Sequence, residues 1–241
     1  MLARLVVAIA AISSITATTQ HWSVQDPGTK KYCIIVEADP VITVKFGDNA
    51  TYTVNMNNTI SATGNCTGIR NLNDTVQLLN VKFRPTDSGP ATEATLWMLD
   101  LVFGKNESTG AAFQLIDYSL TTTETASMPG SKTKTFKMAD AATNDVSARK
   151  GTDAYRCSST VLGLEQESKV DMKNMHALAF AMNDDSKFSK EQVFENCMAD
   201  AQTSDVVPII VGACLAGLVV IVLVAYLIGR ARAKRQGYAS V

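Results

Sequence analysis

The sequence predicts an all-β domain followed by one membrane-spanning α-helix. Short runs of Val, Ile, Thr and aromatic residues recur between residues 32 and 182 and are separated by Gly, Asn and Asp, a pattern typical of antiparallel strands. Residues 206–229 contain no charged side chain. As a helix they extend about 36 Å, enough to cross a hydrocarbon core of about 30 Å. Four cysteines in the β region predict two disulfides.

The N-terminus has the composition of a secretory signal peptide. Arg4 provides a positive charge, and residues 5–12 form an apolar run that is too short to cross a membrane. Ala17 is a small residue suited to cleavage. We therefore expect residues 1–17 to be removed and the domain that follows to lie outside the cytosol.

Nine runs in the outer domain favour strands. The polar loop between Phe103 and Phe113 contains two glycines, which predicts a hairpin. Residues 121–151 are expected to be mostly loop, and residues 186–197 are expected to form a helical turn. Many short strands predict a single sandwich, barrel or prism. The runs are residues 33–36, 41–46, 51–54, 76–83, 94–103, 113–120, 134–138, 154–164 and 169–182.

The four cysteines of the outer domain can pair in three ways. Pairing of nearest neighbours, Cys33 with Cys66 and Cys157 with Cys197, closes loops of 33 and 40 residues. Zinc is the alternative, but the sequence has no C-x-x-C spacing and a secreted domain favours disulfides. The fifth cysteine, Cys214, lies in the apolar segment and is expected to be a small lipid-facing residue.

Five Asn-x-Ser/Thr sequons lie within 58 residues of the outer domain, and four of them are spaced every eight residues. Because a glycan must be on the surface, these positions predict a dense hydrophilic coat that hinders proteases at loops. One sequon has Cys66 as its middle residue, so early disulfide formation would compete with its glycosylation. The expected acceptors are Asn49, Asn57, Asn65, Asn73 and Asn106.

Charge and motifs argue against several classes of function. Residues 18–205 hold 17 of the 22 basic residues and all 23 acidic residues, a net charge of −6 that disfavours nucleic-acid binding. The two histidines are His21, expected in a disordered N-terminal segment, and His176, expected to be half exposed in a strand. No phosphate loop, dinucleotide fingerprint or G-x-S-x-G is present. We therefore predict no enzyme activity, no catalytic residue, no metal site and no cofactor.

The C-terminal segment combines an anchor with a short tail. Asp205 precedes the span as an acidic N-cap, and Pro208 is tolerated in the first helical turn. Four basic residues between positions 230 and 235 place the tail in the cytosol by the positive-inside rule. The chain is therefore expected to have type I topology.

The last residues form a pattern that a cytosolic protein can recognise. Tyr238 and Val241 fit the form Tyr-x-x-bulky apolar. A short extended peptide can add a strand to a sheet edge while two pockets take its side chains. Gly237 leaves the approach unhindered, and residues 230–236 would be a spacer of up to about 3.5 Å per residue if extended.

These signals define four segments of the chain. They are a signal peptide at residues 1–17, a glycosylated β domain at 18–204, a transmembrane helix at 205–229 and a cytosolic sorting tail at 230–241.

Several blocks of the sequence resemble the lysosome-associated membrane glycoproteins, the LAMP family. The strongest block is residues 207–230 followed by Gly237-Tyr238. Residues 155–157, residues 188–200 and the hairpin at residues 101–115 are similar to that family as well. The best-known members carry two lumenal domains joined by a Pro/Ser-rich hinge, and this chain has room for one.

The resemblance implies a fold and a sorting mechanism. It implies a β-prism-like lumenal domain with first-to-second and third-to-fourth cysteine pairing. For this chain those pairs are Cys33–Cys66 and Cys157–Cys197. It also implies that clathrin adaptor complexes read Tyr238 and Val241 as the sorting signal.

We therefore expect a membrane glycoprotein of lysosomes and late endosomes that passes transiently through the plasma membrane. It would coat and protect the lumenal face of the limiting membrane and support lysosome biogenesis and trafficking. The alternative is a cell-surface receptor or adhesion glycoprotein that recycles through endosomes. Beyond adaptors and the membrane itself, the partner considered is a second copy, through the lumenal domain or through small residues of the span such as Gly212 and Ala216.

Overall fold

A computed structural model describes most of the chain. It covers residues 19–46, 50–57, 59–69, 75–85, 95–105, 110–123, 125, 133–140, 142–203 and 206–236. At residues 202, 203, 206–209 and 231–236 it describes the backbone alone.

The described residues contain twelve strands, and the nine predicted runs fall in eight of them. They are β1 (Gln20–Gln25), β2 (Tyr32–Phe46), β3 (Ala50–Asn55), β4 (Thr59–Ile69), β5 (Thr75–Phe83), β6 (Trp97–Gly104), β7 (Ala111–Thr122), β8 (Lys134–Lys137), β9 (Ser147–Arg149), β10 (Ala154–Gly163), β11 (Lys169–Asn183) and β12 (Phe194–Asn196). A 3-10 turn at Glu165–Glu167 precedes β11. The expected hairpin is β6–β7, which pair antiparallel.

The strands build two antiparallel sheets. Sheet A has the order β1-β2-β11-β10-β12, and sheet B has the order β4-β5-β6-β7-β8. β2 exchanges partners along one edge, pairing first with β1 and then with β3. β7 does the same with β9 and β8. β1 reaches β4 of sheet B and β9 reaches β10 of sheet A, so the exchanges bring the edges of the two sheets together.

The core lies between the sheets and is rich in aromatic residues. Alternate positions of each strand point into it, as on β6, where Trp97, Leu99 and Leu101 are fully buried. The Trp97 ring packs edge-on against Phe83, with 6.0 Å between ring centroids. Its indole Nε1–H donates to the carbonyl oxygen of Thr123 at 3.1 Å, so the one polar group of this side chain has a partner.

Both expected disulfides are present. Cys33 on β2 is joined to Cys66 on β4, with 5.7 Å between their Cα atoms, and this bond links sheet A to sheet B. Cys157 and Cys197 are also disulfide-bonded, which leaves no free thiols in the outer domain for the zinc alternative. Cys214 is a free cysteine on an exposed helix surface.

Two local expectations were wrong. His21 is part of β1, where Trp22 and Val24 enter the core, and is not in a disordered segment. Residues 186–197 form bends, a turn and the short strand β12 where a helical turn was expected. The first helix, α1 (Met198–Thr203), follows directly after them.

Two left-handed residues change which side chains of β11 face the core. Asn174 has φ 48°, and the pairing of β11 with β2 shifts between Lys173 and His176. The second left-handed residue is Phe180, with φ 57°. Met182, near the end of β11, is 74% exposed.

A buried amide side chain forms a hydrogen bond with the left-handed backbone of β11 at Phe180, called the Phe180 bulge from here on. Gln77 on β5 is 4% exposed, and its Oε1 accepts a hydrogen bond from the Phe180 N–H at 2.7 Å. Its Nε2 donates to the carbonyl oxygen of Cys66 at 3.0 Å. One glutamine therefore connects β11 of sheet A with two strands of sheet B.

Gln77→Ala is expected to lower the free energy of unfolding by about 2 kcal/mol, because it leaves a buried N–H and a buried carbonyl without their partner. The measurement is guanidinium unfolding of the full chain in nanodiscs, followed by the fluorescence of Trp22 and Trp97. Gln114→Ala on β7 is the matched control. Equal, small effects of both substitutions would show that the Gln77 amide does not hold the bulge.

Candidate functional site

The second compact unit consists of residues 196–241 and contains the long helix α2 (Val206–Gln236). Its stretch Ile210–Arg230 is long and apolar enough to cross a membrane, and none of it is buried against protein. Apolar side chains are exposed around its whole circumference, among them Ile210, Leu218 and Tyr226. A helix that is apolar on every side and uncovered is typical of a membrane span.

The helix does not end with the apolar stretch. Its backbone continues through the basic residues to Gln236, whereas residues 230–236 were considered as an extended spacer. At about 1.5 Å per residue, seven helical residues advance about 10 Å, less than half of what an extended chain would reach. Gly237, Tyr238 and Val241 lie outside the described residues, as does Asp205.

Two of the five sequon asparagines lie in the described part of the chain, and both are exposed. Asn57 follows β3, while Thr59 of the same sequon begins β4. The Thr59 hydroxyl accepts from Trp22 Nε1 at 3.0 Å and donates to Gln20 Oε1 at 3.2 Å. In the folded chain this hydroxyl therefore joins β1 to β4.

Asn65 lies on β4 beside a disulfide cysteine. Its side chain is exposed, and its Oδ1 accepts a hydrogen bond from the N–H of Thr67 at 3.0 Å. Cys66 points inward and is 8% exposed. The acceptor amide and the disulfide are therefore on opposite faces of the strand. Asn49, Asn73 and Asn106 lie outside the described residues.

The two histidines meet at one carboxylate. His21 Nδ1 lies 3.1 Å from Oε1 of Glu37, and His176 Nδ1 lies 3.7 Å from Oε2 of the same group. Each of the three side chains is about one third exposed. Within the described residues neither imidazole is hydrogen-bonded to a Ser, Thr or Cys side chain, which is the contact that nucleophilic catalysis needs.

A cleft that the sequence did not indicate lies beside the Phe180 bulge. Its volume is about 530 Å³, and its lining includes Lys105, Lys150 and Phe180. The Lys105 ammonium lies over the Phe180 ring, 4.8 Å from its centroid. The Lys105 side chain is exposed at this contact.

Comparisons with known proteins agree with this architecture. The family model described as lysosome-associated membrane glycoprotein 2, transmembrane segment, matches residues 207–239. Lysosome-associated membrane glycoprotein 1 of Gallus gallus is 32% identical over an alignment of 176 residues that covers 69% of this chain and 40% of the relative. The Bos taurus protein of the same name is 34% identical over 148 residues, 61% of this chain and 33% of the relative.

A solved structure is similar to the β domain. The membrane-proximal domain of mouse lysosome-associated membrane protein 1 superposes with a TM-score of 0.50 at 21% identity, covering 76% of this chain and 99% of that domain. This likeness concerns the fold. The chain spans less than half the length of the curated relatives that it matches. The β domain, its two disulfides, the apolar helix and the matching C-terminal segment together show that the chain belongs to the lysosome-associated membrane glycoprotein family.

Proposed function

We propose that this chain is a type I lysosomal and late-endosomal membrane glycoprotein whose β domain coats and protects the lumenal face of the limiting membrane. The observation that carries the proposal is the combination in α2 and its tail: an uncovered apolar helix, a basic end and a C-terminal Gly-Tyr-x-x-Val. The family is named for lysosomes, which agrees with this destination. In this role the chain supports lysosome biogenesis and trafficking through its surface and has no catalytic function.

Clathrin adaptor complexes are the proposed cytosolic partners. Tyr238 and Val241 would enter two side-chain pockets while the peptide adds a strand to a sheet edge. Because the backbone is helical to Gln236, the peptide would begin about 10 Å beyond Arg230. That short reach requires the adaptor to approach the membrane closely, where the basic residues also favour anionic lipid.

The glycan coat is expected to include the two described sequons. Asn57→Gln and Asn65→Gln should each remove one peptide-N-glycosidase-sensitive step from the electrophoretic mobility of the full chain, because both asparagines are exposed. Asn55→Gln is the control, since this exposed asparagine on β3 is not in a sequon. Unchanged mobility of Asn57→Gln would remove that position from the coat.

The destination is tested by locating the wild-type chain at native expression with an antibody against the β domain, so that the tail stays free. We expect the label to coincide with acidic, degradative compartments, with a small fraction at the surface and in late endosomes. A majority at the plasma membrane would contradict the proposal and favour a recycling receptor or adhesion glycoprotein. Cross-linking in the same cells tests for a homo-oligomer through the domain or the span.

A further inference from the structure

A row of titratable side chains crosses the outer face of sheet A. His21 on β1 and His176 on β11 are both paired in register with Glu37 on the strand between them, β2. The chain has two histidines in all, so every imidazole of the protein lies at this one carboxylate. The contacts, 3.1 Å and 3.7 Å, reach different oxygens of Glu37, so both can persist together.

The His176 ring also contacts the segment between β11 and β12. It lies 5.1 Å from the Phe194 ring and 6.0 Å from the Phe188 ring, measured between centroids. Phe188 and Phe194 are 5.3 Å apart, and both pack on the buried cluster that contains Leu178. His176 therefore contacts both the Glu37 carboxylate and the phenyl rings that hold residues 186–195 on sheet A.

Other charged groups lie near the two imidazoles on neighbouring strands and on the segment that follows β11. Arg156 on β10 is in register with His176, and Asp39 on β2 lies two residues beyond Glu37. Asp39 accepts a hydrogen bond from Asn174 at 2.9 Å and is in register with Lys173. Lys187 adjoins Phe188 in the sequence and is exposed. Glu37 is thus the carboxylate in direct contact with both imidazoles.

We propose that His21, Glu37 and His176, together with Phe188 and Phe194, form an acid-tightened clasp that holds residues 186–195 against sheet A. When both imidazoles gain a proton, each cation faces the Glu37 carboxylate. The charged His176 ring also attracts the faces of the neighbouring phenyl rings. Without the carboxylate the two imidazolium groups would repel one another.

The sign of the pH dependence follows from these charges. Histidines ordinarily gain their proton near about pH 6.5, and glutamates lose theirs near about pH 4.3. Imidazoles carry a positive charge in acid and lose it at higher pH, so the attraction strengthens on acidification and weakens as the pH rises. The clasp is tight in an acidic compartment and looser at the cell surface or in the secretory pathway.

Another group in sheet B also responds to acid and must be separated from the clasp. Burial raises the pKa of Asp100 on β6, against hydrogen bonds from Asn80 and Ser119 that lower it. A raised pKa stabilises the folded state as the pH falls, in every variant that retains Asp100. Comparing variants at the same pH removes this shared contribution.

The test is hydrogen exchange of the full chain in nanodiscs at pH 7.4 and pH 5.5, corrected for intrinsic exchange rates. In the wild type, protection of the amides of residues 186–195 should rise about threefold on acidification, the scale expected for a partly exposed ion pair and a cation–aromatic contact. In Glu37→Gln the rise should vanish or reverse. His176→Phe keeps an aromatic ring against Phe188 and Phe194, so its segment should stay protected at both pH values without a rise.

Glu167→Gln is the matched control. It removes a carboxylate that pairs with Lys45 on β2 and not with a histidine, so the rise should remain. A wild-type chain whose protection is constant or falls in acid would overturn the proposal. So would Glu37→Gln and His176→Phe variants that both keep the full rise. The test uses purified protein, so its outcome does not depend on whether the chain reaches lysosomes. Only the role of the clasp in the cell rests on that proposed destination.

Discussion

Replacing Cys33 and Cys66 together by alanine should lower the free energy of unfolding by about 4 kcal/mol. The bond closes a loop with a sequence separation of 33 residues. In the chain-entropy model, opening such a loop gives the unfolded chain this much additional freedom. The double substitution also avoids leaving one unpaired thiol beside the core, where Cys33 is 4% exposed.

The position of this disulfide makes the loss affect the whole β domain. It joins β2, the strand of sheet A that pairs with β1, β3 and β11, to β4, which is the first strand in the order of sheet B. The Gln77 amide donates to the carbonyl of Cys66, so the hydrogen bonds that hold the Phe180 bulge depend on the same strand. We therefore expect a single cooperative transition at lower denaturant and not a local loosening.

The two tryptophans provide the measurement. Trp22 on β1 is 1% exposed and Trp97 on β6 is fully buried, so both report on the β domain and neither lies in the span. Guanidinium unfolding of the full chain in nanodiscs would be followed by their emission. Cys214→Ala, in the exposed apolar helix, is the control and should leave the midpoint unchanged. A midpoint of the double variant equal to that of wild type would contradict the prediction.

Tyr238→Ala should produce the largest change in behaviour in the cell. A buried aromatic anchor commonly supplies several kcal/mol of a peptide's binding energy, so its loss would weaken adaptor binding by a factor of 100 or so, on the order of 3 kcal/mol. We expect the fraction of the chain at the plasma membrane to rise about tenfold, because retrieval depends on this contact. The β domain and α2 should be unaffected, since Tyr238 lies outside the described ranges of both.

Much of the fold could be predicted because it depends on local patterns. The apolar run at residues 94–103 predicts a strand, and β6 occupies most of that run, with Trp97, Leu99 and Leu101 buried. The apolar segment needs no tertiary contact to be recognised, and α2 covers it. The pairing of cysteines that the family resemblance implied for Cys33 and Cys66 is the one observed.

Other features depend on distant contacts and could not be predicted from local patterns. The six residues of β1 become a strand because β2 is beside them, and this places His21 at Glu37. Left-handed backbone at Asn174 and Phe180 interrupts the alternation of β11, and Met182 is exposed. Gln77 is a polar residue of a type usually found on the surface. It is buried where its side chain accepts a hydrogen bond from the Phe180 bulge of the facing sheet.

The continuation of α2 has a simpler cause. The basic residues end the apolar stretch, but Ala, Arg, Lys and Gln are good helix formers, so the end of the apolar stretch is not the end of the helix. The charges predict the topology of the chain and do not predict where the helix ends. The spacer is therefore shorter than the extended chain we considered.

The most direct test of the account is the ratio of surface to lysosomal protein for three variants at native expression. They are wild type, Tyr238→Ala and the control Ser240→Ala, which changes a position between the two proposed anchors. We expect wild type and Ser240→Ala to be mainly lysosomal and Tyr238→Ala to accumulate at the plasma membrane. An unchanged lysosomal location of Tyr238→Ala would contradict the claim that this tail is the sorting signal.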